Sequence, residues 1–336
     1  RIGQNMRVKL LLAFFCLSIL LLPSVFSASS VVEMKLEASL SESDLGIIAG
    51  DVSPNGESVL LVGKDGYARE ISALEAEDRS RDIELVTGRN VDLQDTSWHP
   101  RGQAALIAGD LGVALRYETY DNSITLVNGT GTIIGHNLTT VEWRQAGDYA
   151  YFGADDGGVW KFAEGIGFVA LDDTRNSSIT GISCHRNIDS CVMSTLQDGL
   201  AVIGPTHNLT WLSGTSSHTW VDVDCAEPIL NECLGFASGL RTGIIKINSV
   251  DATKSSAKTP VQYTTLEGDF TKISRGHDST SLIILAPFST VRQYPVDDDA
   301  YVQISSEDAL EWDPVISGRS ISFIWEDSFN SGFIIT

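Results

Sequence analysis

The chain has 336 residues, of which 43% are hydrophobic, enough to fill the core of one large domain or two small ones. It carries 44 acidic against 23 basic residues, a formal charge of −21. A surface of that sign repels polyanions, so nucleic acid and anionic lipid are excluded as natural partners.

Residues 1–5 precede the first methionine, Met6, and are read as lying upstream of the translation start. From Met6 the chain shows a basic tip (Arg7, Lys9), an apolar run Leu10–Leu22, and then Pro23-Ser24-Val25-Phe26-Ser27-Ala28. That order is a secretory signal peptide, with cleavage expected before Ala28. The expected organisation is therefore a leader over residues 1–27 and a single domain over 28–336. Left uncleaved, Val8–Ala28 could just span a bilayer and would anchor the protein, although Pro23 and the short apolar core oppose it. Cys16 has no small residue directly before it, which argues against a lipoprotein anchor. No later stretch approaches the ~20 apolar residues of a spanning helix.

The body of the chain repeats itself. Val52–Ile71 (VSPNGESVLLVGKDGYAREI), Trp98–Tyr117 (WHPRGQAALIAGDLGVALRY) and Trp143–Phe162 (WRQAGDYAYFGADDGGVWKF) share one grammar: a strand end, a turn, an apolar strand, a Gly-bearing turn and another strand. Superposing the turns aligns Val52, Trp98, Trp143, Ile182, Val223, Ile273 and Trp312 as the residue ending the first strand of seven units. Their mean spacing of about 43 residues suits four-stranded blades. Fourth strands are expected at Ile83–Val86, Ile124–Val127, Phe168–Leu171, Leu209–Leu212, Val261–Thr265 and Tyr301–Ile304. The seventh unit, through Ser320–Trp325 and Phe333–Ile335, lacks one. Val31–Leu36 is a spare strand of suitable composition, expected to pair with the last blade and close the ring. Ala73–Arg79 reads as a helical turn or a charged loop. Ser249–Pro260 and Asp297–Asp299 read as polar, exposed insertions.

Outside the leader there are four cysteines, Cys184, Cys191, Cys225 and Cys233. On the turn alignment Cys184 and Cys225 take the places of Pro54, Pro100 and Pro314, while Cys191 and Cys233 open the second strands. Each pair then faces its partner across one hairpin, which predicts disulfides Cys184–Cys191 and Cys225–Cys233. The rival reading, a zinc site, meets spacings that are wide for that metal and an oxidising compartment. Asn128, Asn137, Asn176 and Asn208 each open an N-x-Ser/Thr acceptor pattern for glycosylation.

Other constellations carry less. Asp155-Asp156-Gly157-Gly158 and Asp297-Asp298-Asp299 could ligate calcium, but neither has the alternating loop with a distal Glu, and the first sits where a tight hairpin favours Asp and Gly. The histidines form no H-E-x-x-H motif, and no serine lies in a G-x-S-x-G elbow. His99, His185 and His277 fall in the turns after the first strands, expected to be solvated. Trp98, Trp143 and Trp312 are expected between sheets. No catalytic residue, metal or cofactor is assigned.

The turn series PNGE/PRGQ and the strands LLVGKDGYAR, LIAGDLGVALRY and YFGADDGGVWKF resemble secreted β-propellers of the WD-repeat, YVTN and sialidase-repeat-like superfamily, over Val31 to Thr336. The resemblance implies an all-β, seven-bladed β-propeller of four-stranded antiparallel blades. The Trp-Asp dipeptide of WD repeats is absent from the third strands, and the S-x-D-x-G-x-T-W box of sialidases is missing. Such propellers host binding, scaffolding and catalysis alike. The expectation is a secreted, monomeric, non-enzymatic protein that binds a protein or glycan partner through rim loops. The alternative is an extracellular polysaccharide hydrolase or lyase with Asp51, Asp95 and Glu142 lining a central channel.

Overall fold

A computed structural model describes residues 46–72, 82–127, 130–225, 231–238 and 241–258, together with strand backbones at 261–262, 272–275, 282–286, 289–293, 309–311, 322–325 and 332–335. The leader, Val31–Leu36, Ala73–Arg79, Asn128, His277, Asp297–Asp299, Tyr301–Ile304 and Trp312 lie outside the described residues.

Among the described residues every sheet is antiparallel and takes its strands in chain order. The first holds β1 (Ile47–Val52), β2 (Ser58–Gly63), β3 (Ala68–Ser72) and β4 (Ile83–Glu84). The second holds β5 (Leu93–Trp98), β6 (Ala104–Gly109), β7 (Val113–Glu118) and β8 (Ser123–Leu126). The third holds β9 (Leu138–Trp143), β10 (Ala150–Ala154), β11 (Val159–Ala163) and β12 (Gly167–Ala170). The fourth holds β13 (Ile179–Cys184), β14 (Cys191–Thr195), β15 (Leu200–Ile203) and β16 (Leu209–Trp211).

The fifth sheet holds β17 (Trp220–Asp224), β18 (Glu232–Ala237) and β19 (Arg241–Lys246), and then differs from expectation. Its outer edge is split between β20 (Ser256–Ala257) and β21 (Val261–Gln262), both paired with β19. Part of the stretch expected to be an exposed insertion is thus an edge strand. Ala252 and Ala257 pack against the core there, which draws the segment onto the sheet.

In the sixth sheet β22 (Lys272–Arg275), β23 (Leu282–Ala286) and β24 (Ser289–Gln293) are followed by β25 (Ala309–Glu311). The repeat alignment assigned the stretch ending at Trp312 to the start of the seventh unit. Instead β25 takes the outer place of the sixth, pairing Leu310 with Thr290. A single marker tryptophan does not determine which sheet edge a three-residue strand joins. The last described pair is β26 (Ser322–Trp325) with β27 (Gly332–Ile335), and β26 lies beside both β22 and β1.

The core lies between successive sheets. On β6, Ala105 and Ile107 pack with the first sheet, whereas Leu106 and Ala108 pack with the third. On β14, Cys191 and Met193 face the third sheet and Val192 the fifth. Side chains alternate across a strand, so a second strand covered on both faces must be apolar or hydrogen-bonded at every position. This is why AALIAG reads as an unbroken run of small and apolar residues, while in CVMST the buried Ser194 and Thr195 hydroxyls are hydrogen-bonded, to Thr180 and to Gly199 O. Each fully buried Leu or Ile contributes about 1.5–3 kcal/mol relative to exposure.

Each of the first strands β1, β5, β9, β13 and β17 shifts register by one residue after its first position. These bulges give an internal ruler. They set Val52, Trp98, Trp143, Cys184 and Cys225 at one position, the end of the innermost strand. The turn alignment, which matched Cys184 and Cys225 to the prolines, is therefore two residues out of register in the fourth and fifth sheets. The turn beyond β13 differs in length and composition, so matching turns carried the error into the strands.

Candidate functional site

The first strands stand side by side around the centre, and on each of β1, β5, β9 and β13 one residue bridges to the next sheet. Asp51 Oδ2 accepts the backbone N–H of Trp98 at 2.8 Å. Ser97 Oγ accepts that of Trp143 at 3.2 Å, Glu142 Oε1 that of Cys184 at 3.4 Å, and Ser183 Oγ that of Cys225 at 3.0 Å. Ser97 also donates to Glu142 Oε2. On the bulge ruler Asp51, Ser97, Glu142, Ser183 and Asp224 are one position, directly before Val52, Trp98, Trp143, Cys184 and Cys225. A second rung lies two residues earlier, where Asp95 Oδ2 accepts from Val141 N at 2.9 Å. Thr139 and Thr180 donate their hydroxyls to the carbonyls of Ile179 and Trp220.

This polar ring has an electrostatic cost. Asp51 is half-buried as a residue, but its carboxyl is enclosed, and burial followed by the nearby Asp95 carboxylate pushes its pKa up to about 7. The bond from Trp98 acts in the opposite direction. Glu142 is held well above the usual carboxylate range by burial first, then by the charges of Asp51, Asp95 and Asp224. The three acids singled out from sequence do come together at the hub, and Asp224 joins them. Its place directly before Cys225, as Glu142 stands before Trp143, was the missed signal, hidden by the two-residue offset of the turn alignment.

The disulfides occupy the next position outward. Cys184 and Cys191 face each other in register, with Cα atoms 3.9 Å apart, and Cys225 bonds Cys233 with Cα atoms 4.3 Å apart. All four are buried in the intersheet clusters. Cys184 and Cys225 fill the slot that holds Trp98 and Trp143 in the earlier sheets.

Two histidines depart from expectation. His99 and His185 are buried rather than solvated. Nδ1 of His99 accepts from Arg101 N, and Nδ1 of His185 accepts from Asn187 N and Ile188 N. In each, one ring nitrogen organises the turn as an Asp or Asn oxygen would. His99 also meets Gly147 O at 3.0 Å and lies edge-on against Trp143.

The rim is built by two sets of loops at opposite ends of the strands. Antiparallel order places the turns between second and third strands on the same end as the connections from one sheet to the next. At that end Leu111 adopts φ 58, the left-handed region, and is 62% exposed. The matching turn of the first sheet uses Asp65 at φ 54. An aspartate tolerates that conformation, whereas a leucine loses about 1–2 kcal/mol there. Gly112 follows at φ 75, where an added Cβ would lie 2.1 Å from Ile133 O. The turn is therefore pressed against the connection that leads into β9.

The acceptor asparagines differ. Asn137 is half-buried, its Oδ1 accepting from Leu111 N and its amide donating to Asp155 Oδ2. Asn176 and Asn208 are exposed. Asp156 pairs with His136 at 2.6 Å and accepts from Gly158 N. The Asp155–Gly158 stretch is thus a hairpin turn tied to its neighbours.

Several solved structures share this arrangement at negligible sequence identity. The β-propeller domain of Cps50 (Swd1) from Myceliophteria thermophila matches with a TM-score of 0.62 and 9% identity, over 83% of this chain and 89% of that one. Raptor from Chaetomium thermophilum matches with a TM-score of 0.63 and 10% identity, over 83% of this chain and 26% of its own. Hydrazine synthase from Kuenenia stuttgartiensis matches with a TM-score of 0.58 and 9% identity, over 78% and 80%. The chain folds as a β-propeller. No family model and no curated protein matches the sequence. At such identities the likeness carries the fold alone. For this propeller the inner ring is the blade-to-blade fastening: Asp51, Asp95, Ser97, Glu142 and Ser183 each accept a backbone N–H of the next sheet, and Thr139 and Thr180 donate to its carbonyls.

Proposed function

We propose that the protein is exported, loses residues 1–27, and forms a seven-bladed propeller closed by Val31–Leu36 against the last blade. In this reading it binds a protein or glycan partner through loops on one end of the ring and performs no chemistry. The observation that carries it is the inner ring: Asp51, Asp95 and Glu142, the acids best placed for catalysis, each accept a backbone N–H from the next sheet. Groups holding the blades together in the resting state are poorly placed to move protons at a substrate. Two disulfides support an oxidising compartment.

The raised protonation of Asp51 and Glu142 favours a second reading, a polysaccharide hydrolase or lyase acting at the channel, because a carboxyl protonated near neutral pH can serve as a general acid. One experiment separates the two. Protein recovered from the medium should begin near Ala28 by mass spectrometry, and should release no new reducing ends from a panel of acidic and neutral polysaccharides. Reducing ends released by the protein and abolished by Glu142→Gln establish the hydrolase instead.

A further inference from the structure

The end of the ring that carries Leu111 has features the fold does not need. Leu111 is exposed in a left-handed turn conformation that Asp65 supplies without strain in the first sheet. Beside it, Gly135 N donates to Leu111 O, so the two loops are joined, and Ile134 between them is 68% exposed while its neighbour Ile133 is fully buried. Ile133 accounts for the packing of that connection; Ile134 and Leu111 add only apolar surface in water. Singly exposed hydrophobics are ordinary. Here two aliphatic side chains come from different loops, and one is held in a disfavoured conformation.

The surroundings of this pair are acidic and continuous with it. Leu111 N donates to Asn137, Asn137 donates to Asp155, and the following His136 pairs with Asp156. Asp110 precedes Leu111 and accepts from Gln94. Asp110, Asp155 and Asp156 thus flank two exposed aliphatic side chains within one hydrogen-bonded surface.

We propose that Leu111 and Ile134 form the anchor of a docking surface for a protein segment presenting an apolar side chain flanked by lysine or arginine. The inference rests on the binding reading above and specifies its partner. Apolar contact supplies the anchor, and the three carboxylates select the cationic flanks and speed encounter. A second copy of this chain is disfavoured as occupant, because it would bring the same aspartates against this face and both copies carry a formal charge of −21.

The test uses the full secreted protein and a short synthetic peptide with leucine flanked by lysines. Two control peptides replace the lysines by glutamate or the leucine by serine. Amide hydrogen exchange should show protection at 110–112 and 133–137 with the first peptide alone. Leu111→Asn, which suits the left-handed turn, should weaken binding by about tenfold or more without lowering thermal stability. Ile166→Ser, at the opposite end of the ring, should leave binding unchanged. Raising salt from about 0.05 to 0.5 M should weaken it further. Binding mapped elsewhere on the ring overturns the surface and leaves the scaffold reading standing. Absence of binding, equal binding of the glutamate peptide, or indifference to Leu111→Asn also overturns it. Concentration-dependent dimers lost in Leu111→Asn replace the partner with a second copy.

Discussion

Trp98 is fastened to Asp51 twice: its backbone N–H donates to the Asp51 carboxylate at 2.8 Å and its indole N–H to the Asp51 carbonyl at 2.9 Å. One residue that ends the inner strand of the second sheet is held by one residue of the first. The same backbone bond recurs at Trp143, Cys184 and Cys225 with Ser, Glu and Ser as acceptors. The position therefore requires an acceptor of suitable reach and not a particular charge.

Replacing Asp51 tests that requirement. Asp51→Asn keeps an acceptor and removes a charge from the crowded hub, so it should be neutral or stabilising near pH 8. Asp51→Ala leaves the Trp98 N–H without its acceptor and should cost about 1–3 kcal/mol. Urea denaturation of the two variants at one pH measures the difference. Equal losses would mean that charge, not the bond, holds the sheets together.

The hub also sets a pH dependence, and its sign follows from protons held by the fold. Asp51 retains its proton up to about pH 7, and Glu142 is raised in the same direction, whereas the unfolded chain releases both near ordinary carboxylate values. Stability from Asp51 is complete below its unfolded value and is lost as pH rises through about 7, and Glu142 contributes with the same sign. The denaturation midpoint should fall between about pH 5 and pH 8. Glu142→Gln should flatten that slope. A midpoint that rises across the interval would contradict it.

Joint replacement of Cys184 and Cys191 by Ala should lower stability by about 2–3 kcal/mol, since it releases a short loop and trims a buried intersheet slot. Non-reducing peptide mapping should return Cys184 with Cys191 and Cys225 with Cys233. A fragment joining Cys184 to Cys225 would contradict the facing register of β13 and β14.

Of the acceptor asparagines, Asn176 and Asn208 should carry glycan on the secreted protein and Asn137 should not. The Asn137 amide is already donated to Asp155 while its oxygen holds the Leu111 turn. Glycopeptide mass spectrometry reads the occupancy. Independently of export, Asn137→Ala should cost about 1–2 kcal/mol through the lost bridge between two loops.

Much of the architecture was written locally. The apolar second strands, the turn residues and the recurring spacing were sufficient to read a ring of antiparallel sheets and the two cysteine pairs, because alternation and hairpin chemistry act over a few residues. The sequence also brought Asp51, Asp95 and Glu142 forward as hub residues. It could not say that they fasten sheets together, because each bond joins residues more than forty apart and the acceptor changes from Asp to Ser to Glu along the ring. The register of Cys184 and Cys225 with Trp98 and Trp143 was hidden for a related reason. Turns vary in length, whereas the bulge that defines register is visible only once strands have paired. The burial of His99 and His185, and the strand that Ser256–Ala257 adds to the fifth sheet, were decided by what packs against them. Local pattern thus determined which segments become strands, and contacts between distant strands determined which side chains meet, what they bond and how strongly they hold their protons.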